Sequence, residues 1–169
     1  MIVVAVSGPP VEIRYRPSYG EIASEDILCQ YRLTESQMDQ SREGSDYVNR
    51  QIALIEAHRS LSRLSRVVDN WNSFGSERPS AESIRKATTI AETLINFGLI
   101  PDGIVPSAEG GVAICFVRSG KYADVECFNT GEILGVRYKD RDTPVVWAVE
   151  DNAHGSDATA GLLSAYLCS

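Results

Sequence analysis

The strongest constraint on the fold of this chain is a seven-residue apolar period that begins at Tyr47. One set of apolar residues recurs every seven positions and a second set fills the intermediate positions; together they are Tyr47, Leu54, Leu61, Val68, Ala57, Leu64 and Trp71. This spacing places them on one stripe of a helix of about 25 residues. A stripe with this period suits packing against another helix, which can belong to the same core, to a second copy of the chain or to a partner protein.

A polar turn interrupts this helix at residues 69–76, which are rich in Asn, Ser and Gly. Within the turn, Trp71 and Phe74 are large apolar residues. They either fill the core at the corner between two helices or form an aromatic recognition surface. We expect the core, because large apolar side chains are usually buried.

A second helix and a β-meander follow the turn. Ser80 is expected to be the N-cap of the helix, whose apolar face runs from Ile84 to Ile95 and which ends near Gly98. Short apolar runs separated by turn residues then predict antiparallel strands, at 104–106, 112–118, 122–128, 132–139 and 143–150. The last apolar residues predict a short helix over 157–167, with Asp157 as its cap.

The first 45 residues differ from the rest in pattern. Apolar and polar residues alternate over 11–16 and again over 27–33, which predicts a β-hairpin, and the polar residues 34–45 indicate a linker or a frayed helix. The predicted fold class is therefore α+β: an N-terminal β-hairpin region, two central helices, an antiparallel β-meander and a short C-terminal helix. The predicted organisation is a strand-rich extension over residues 1–45 and a helix-turn-helix plus sheet domain over residues 46–169.

Composition narrows the classes of function. The chain has 169 residues and a formal net charge of −7, which disfavours a broad nucleic-acid surface. Arg59, Arg63 and Arg66 cluster on the first helix, and we interpret them as a solvated face. The sequence has no apolar stretch long enough for a membrane span and no signal peptide, so we expect a cytoplasmic protein.

The cysteine and histidine spacing does not predict a metal site or a cofactor. Cys29, Cys115, Cys127 and Cys168 form no Cys-x-x-Cys pair, and both histidines are distant in sequence. Cys115 and Cys127 could face each other across a hairpin, but in a reducing cytoplasm we expect free thiols.

The order of these features resembles a group of small bacterial proteins, many of them encoded on mobile elements. The group has a helix, then Trp-Asn/Asp-x-Tyr/Phe-Gly-Ala/Ser, a Pro-Ser helix start, and a Pro-Ser-x-x-Gly-Gly turn into a β-meander. The matching residues are Trp71, Asn72, Phe74, Gly75, Ser76, Pro79, Ser80, Ile84, Pro106, Ser107, Gly110 and Gly111. The resemblance covers roughly residues 55–169 and implies this architecture, but it brings no known activity with it.

Candidate catalytic or ion-binding residues occur in two segments of the sequence. Residues 150–157 hold Glu150, Asp151 and His154 around a glycine, which could ligate a metal or hold a general base, although the segment also has the composition of an exposed loop. Asp124 and Glu126 alternate on one predicted strand and therefore share a face, where Glu132 could join them. Such carboxylates can bind a cation, but they are more often the solvated face of a sheet.

The sequence thus favours a non-catalytic protein–protein interaction protein, either an antitoxin-like neutraliser or an accessory subunit of a bacterial defence or mobile-element system. Its interaction residues would be Trp71, Phe74, Leu54, Leu61, Arg59 and Arg63, and its partner would be a protein with a basic surface, while homo-oligomerisation through residues 47–71 is an alternative. A small hydrolase using His154 and Asp151 is the second hypothesis. A nucleic-acid-binding accessory protein is the third.

Overall fold

The computed structural model describes the backbone of residues 24–139 and 142–168, and the side chains of residues 44–139 and 142–168. The chain divides into two compact units, residues 1–42 and residues 43–169. In the described residues, three helices and a five-stranded antiparallel sheet confirm the predicted α+β class. The strand expected over residues 11–16 lies outside the described residues.

Helix α1 spans Ser24–Leu64 and is much longer than expected at its N-terminal end. The strand expected at 27–33 is therefore wrong. Of the two alternatives for residues 34–45, a linker or a frayed helix, the structure shows a helix. The physical reason is that residues 24–43 contain no Gly or Pro and are rich in Glu, Gln, Arg and Leu. The single Gly44 inside the helix costs only about 1 kcal/mol relative to alanine, which is too little to end it. At the other end, helix α1 stops before Val68 and Trp71, which lie in the non-helical segment that follows.

Helix α2 spans Ala81–Asn96 and begins as the sequence predicts. Ser80 is the N-cap, and its hydroxyl oxygen accepts a hydrogen bond from the backbone N–H of Ser83 at 3.0 Å. Gly98 follows the helix with a φ of 83°, a conformation that glycine adopts at little cost.

The sheet is a meander in which each strand pairs with the next one along the chain. Its strands are β1 (Gly103–Pro106), β2 (Gly111–Arg118), β3 (Lys121–Phe128), β4 (Ile133–Lys139) and β5 (Val145–Ala148). The edge strand predicted at 104–106 is confirmed as β1, which among the described strands pairs with β2 alone.

One face of this sheet carries the core. Because side chains alternate between the two faces, Val112, Ile114 and Phe116 of β2 lie on the same face as Val125 of β3. All four are buried in one apolar cluster, to which each helix contributes: Leu61 and Leu64 from α1, Ala87, Ile90, Ala91 and Leu94 from α2, and Ala160, Leu163 and Leu167 from α3.

Helix α3 spans Ala153–Leu167 and starts four residues earlier than expected. Its N-cap is Asn152, whose side-chain oxygen accepts a hydrogen bond from the N–H of Gly155 at 2.8 Å. The prediction of Asp157 as the cap is wrong. Asn152 accepts the hydrogen bond at the start of the helix, and Asp157 lies inside the helix. No helix in the described ranges has the length and apolar character needed to cross a membrane.

Candidate functional site

The most unusual surface feature is the loop that joins helix α1 to helix α2. The side chain of Phe74 is 91% exposed and that of Trp71 is 37% exposed. The expectation that both residues fill the core is therefore wrong. Leu61 and Leu64 already close the core beneath this corner, so the turn that follows carries its aromatic residues on the outside.

The backbone of this loop is held in a special conformation. Asn70, Ser73 and Gly75 have φ values of 61°, 64° and 87°, a region that residues other than glycine rarely occupy. Two asparagine side chains support it. The side-chain oxygen of Asn70 accepts a hydrogen bond from the N–H of Gly75 at 2.8 Å, and that of Asn72 accepts one from the N–H of Phe74 at 2.9 Å. The loop that carries Phe74 is therefore ordered by its own hydrogen bonds.

The loop is also tied to the sheet. The Ser76 hydroxyl donates to the carbonyl of Ala108, in the turn between β1 and β2, at 2.6 Å. In turn, the side-chain amide of Asn72 donates to the hydroxyl of Ser76 at 2.6 Å. These two hydrogen bonds connect the loop that carries Trp71 and Phe74 to the turn between β1 and β2.

A second tie comes from Asn129, in the turn between β3 and β4. Its side-chain oxygen accepts hydrogen bonds from the N–H of Ser80 at 2.8 Å and the hydroxyl of Ser83 at 3.1 Å, while its amide donates to the carbonyl of Arg78 at 2.9 Å. In the sequence, Asn129 only belongs to the turn between the strands predicted at 122–128 and 132–139. Its role depends on atoms about 50 residues away in sequence, so no local pattern could have revealed it.

The residues behind the family resemblance meet at this joint. Those of the loop and the start of α2 lie beside those of the β1–β2 turn, where Gly110 and Gly111 have φ values of 86° and 128°. A Cβ atom at Gly111 would lie 2.2 Å from the carbonyl oxygen of Cys127, so β2 can begin there only with glycine. Residues of this sequence pattern thus connect the loop between α1 and α2 to the turn between β1 and β2, and the same loop carries the exposed aromatic residues.

A cleft of about 710 Å³ lies beside the loop. It is bounded by Ser65 and Asp69 after helix α1, by Glu77 and Arg78 before helix α2, and by Ile84 in the first turns of α2. The Asp69 carboxylate accepts a hydrogen bond from the N–H of Arg78 at 3.0 Å, which fixes the two sides of the cleft to each other.

The other predicted interaction residues lie on helix α1. Leu61 is only 3% exposed and belongs to the core, so it is not accessible to a partner, and Leu54 is half-buried. Arg59 and Arg63 are exposed on the outer side of the helix, where Arg59 pairs with Glu56 at 2.6 Å. Among the described side chains of α1, which begin at Gly44, the exposed large apolar residues are Tyr47, Val48, Ile52 and Ile55.

The residues proposed for catalysis do not form a catalytic arrangement. Asp151 is paired with the ammonium group of the buried Lys86 at 2.9 Å, and Glu150 accepts a hydrogen bond from the Asn152 side chain at 3.1 Å. His154 is exposed in the first turn of α3, and across the described ranges no hydrogen bond joins it to either carboxylate. A general base needs a partner that orients it, and neither Glu150 nor Asp151 is placed to orient His154.

The face of the sheet opposite the core carries the second group of carboxylates. Asp124 is 8% exposed, and the hydroxyl of Tyr122 donates to its Oδ2 atom at 2.8 Å. Burial raises the pKa of both Asp124 and Glu126 above the ordinary values for these groups. Leu134, not Glu132, lies across from Glu126 on β4.

The two strand cysteines do not face each other. Cys115 is paired in register with Asp124 on the face of the sheet opposite the core, whereas Cys127 lies across from Val112 in the core. Both are free thiols, as expected. Burial raises the pKa of the Cys127 thiol to about 12, so it is inert as a nucleophile near neutral pH. Throughout the described residues, no group of three or more His, Cys, Asp or Glu side chains could hold a metal ion.

Comparison with known proteins gives no match: neither a family model, nor a curated protein, nor a solved structure is significantly similar to this chain.

Proposed function

We propose that this chain is a non-catalytic protein–protein interaction protein that uses the Trp71–Phe74 loop as its recognition element. The observation that carries the proposal is the almost complete exposure of Phe74 on a loop ordered by hydrogen bonds. An exposed phenylalanine contributes little to the stability of the free chain. Burial of its side chain against a partner would contribute roughly 1.5–3 kcal/mol.

The order of the loop supports the same proposal. A binding loop that is already in its final conformation loses little conformational freedom when a partner binds, so more of the contact energy appears as affinity. The unusual backbone angles at Asn70, Ser73 and Gly75 are costly in isolation and persist because Asn70, Asn72 and Ser76 hold them. Such strain is often concentrated at binding sites.

The biological setting belongs to the same proposal. The acidic charge of −7 favours a partner with a basic surface, which suits an antitoxin-like neutraliser or an accessory subunit in a bacterial defence or mobile-element system. We further propose a cytoplasmic location. Self-association through residues 47–71 stays a hypothesis. The members of this stripe that are exposed to a second copy are Tyr47, Val68 and Trp71, and Val48, Ile52 and Ile55 are exposed beside them on helix α1.

The test is affinity purification of partners from the native host with the full chain and with a Phe74→Ala variant. We expect the variant to lose affinity for the principal partner by about 10- to 150-fold. Its free energy of unfolding should change by less than about 0.5 kcal/mol, because the side chain makes little contact with the folded chain. Binding is measured by calorimetry once mass spectrometry has identified the partner.

Phe97→Ala is the matched control, because Phe97 is also an exposed phenylalanine but follows helix α2 at its other end. This variant should bind as the unaltered chain does. If Phe74→Ala binds with full affinity, or if the chain elutes alone as a monomer at low and at moderate salt, the proposal is wrong.

A further inference from the structure

The face of the sheet that points away from the core is not covered by any element of residues 43–139 and 142–168. Helices α1, α2 and α3 contribute apolar residues such as Leu61, Ala91 and Leu163 to the cluster on the other face. On the open face, the side chains of Val117 and Val146 are about half exposed, and Val136 and Tyr138 are partly exposed. The solvent-facing side of an antiparallel sheet is normally polar, so this composition is unusual.

An incompletely bonded carboxylate lies in the middle of this face. Asp124 sits on the central strand β3, with Cys115 of β2 on one side and Val136 of β4 on the other. Its Oδ2 atom accepts the hydrogen bond from Tyr122, but its Oδ1 atom is buried and no donor among the described residues reaches it. A buried carboxylate oxygen without a donor is costly, since it has lost its hydration and gained nothing in return.

The groups around Asp124 define which donor would fit. Glu126 is two residues along β3 and therefore adds a second carboxylate on the same face. The rings of Tyr122 and Tyr138 lie next to each other, with centroids 4.9 Å apart, and offer aromatic surface to a planar cation. A guanidinium group pairs with carboxylates through two hydrogen bonds and also stacks on aromatic rings, whereas an ammonium group does not combine the two as well.

We propose that the open face of the sheet is a docking surface for an arginine side chain presented by a partner protein. This inference rests on the proposed function in one respect, namely that the partner is a protein. The arginine donates to Oδ1 of Asp124 and pairs with Glu126, while Val117, Val136 and Val146 contact apolar residues that flank it. Because the Asp124 side chain points away from the core, the arginine reaches Oδ1 by parting side chains on the sheet surface and leaves the core intact.

The direct test uses two synthetic peptides, Val-Thr-Arg-Thr-Val and the same peptide with citrulline, which is nearly isosteric with arginine but uncharged. Each is titrated into the full chain, and backbone amide shifts are followed by NMR. We expect saturable shifts in β2, β3, β4 and β5 with the arginine peptide and binding about tenfold weaker with citrulline. Equal binding of both peptides, or shifts outside these four strands, would overturn the proposal.

Two variants separate a specific site from general charge attraction. Asp124→Asn should reduce binding of the arginine peptide about tenfold, to the level seen with citrulline. Asp157→Asn removes one negative charge from an exposed position on helix α3 and should leave binding unchanged. Equal effects of the two substitutions, or no effect of Asp124→Asn in a chain whose amide spectrum shows it to be folded, would overturn the proposal.

The failure of this inference is distinguishable from the failure of the proposed function. In the partner experiment, loss of binding with Phe74→Ala but full binding with Asp124→Asn would retain the aromatic loop and overturn the sheet-face proposal. Loss with Asp124→Asn and full binding with Phe74→Ala would support the sheet face and contradict the role of the loop.

Discussion

At the scale of single residues, two glycines show two different reasons why a side chain is disfavoured. At one position only the backbone conformation disfavours it, and at the other a neighbouring strand also leaves no space for it. Gly75 and Gly111 both have positive φ values, of 87° and 128°. They differ in their surroundings: a Cβ atom at Gly75 would have nothing within 4 Å, whereas at Gly111 it would overlap the carbonyl oxygen of Cys127. The two positions therefore separate the cost of backbone conformation from the cost of a steric clash.

We expect Gly75→Ala to lower the free energy of unfolding by about 1–2 kcal/mol, which is the cost of a side chain in this region of φ. Gly111→Ala should lower it by more than about 3 kcal/mol, because the backbone of β2 must also move away from β3. Urea denaturation followed by circular dichroism measures both. Equal losses for the two variants would mean that β2 and β3 can separate at low cost.

At the scale of the elements, helix α2 is fixed at its N-terminus by both local and distant contacts. The Ser80 hydroxyl caps the helix, and the side chain of Asn129 binds the N–H of Ser80 from the turn between β3 and β4. Further along, the buried Lys86 donates to the carbonyl of Gly131 at 2.7 Å and pairs with Asp151 before helix α3. Helix α2 thus connects the aromatic loop, the sheet and α3.

We expect Ser80→Ala to lower the free energy of unfolding by about 1 kcal/mol, because the N–H of Ser83 loses its acceptor. Thr89→Ala is a suitable control: Thr89 is exposed within the same helix, and its hydroxyl donates only a long hydrogen bond of 3.4 Å to the carbonyl of Arg85. The control should change stability by less than about 0.5 kcal/mol. If both variants are equally stable in thermal and urea denaturation, Ser80 does not cap the helix in solution.

At the scale of the whole molecule, the described core belongs to one of the two compact units. Every member of the main apolar cluster lies between Leu61 and Leu167. A fragment of residues 43–169 retains all of these residues, together with the aromatic loop and the open sheet face. We expect it to fold alone, with a single cooperative thermal transition and with the dispersed amide spectrum of an ordered protein. A broad, non-cooperative transition would show that residues 1–42 are needed for the core.

The sequence predicted elements well where local signals agreed with one another. Three predicted features appear in the structure: the Ser80 cap, the apolar face of α2 and the turns between the strands. Each depends on residues that are close together in the sequence. It failed at 27–33, where alternation resembles a strand but the absence of helix-breaking residues allows α1 to continue. Two local signals disagreed there, and periodicity over seven residues was too short to decide between them.

The sequence by itself determined the order and kind of the elements from residue 46 onward, because caps, turns and apolar periods act over short distances. Only the tertiary structure decided which apolar residues are buried. Leu61 and Trp71 belong to the same seven-residue pattern, yet the first is in the core and the second is on the surface. The helix ends between them, and once Leu61 and Leu64 have filled the space above the sheet, Trp71 and Phe74 are left facing the solvent.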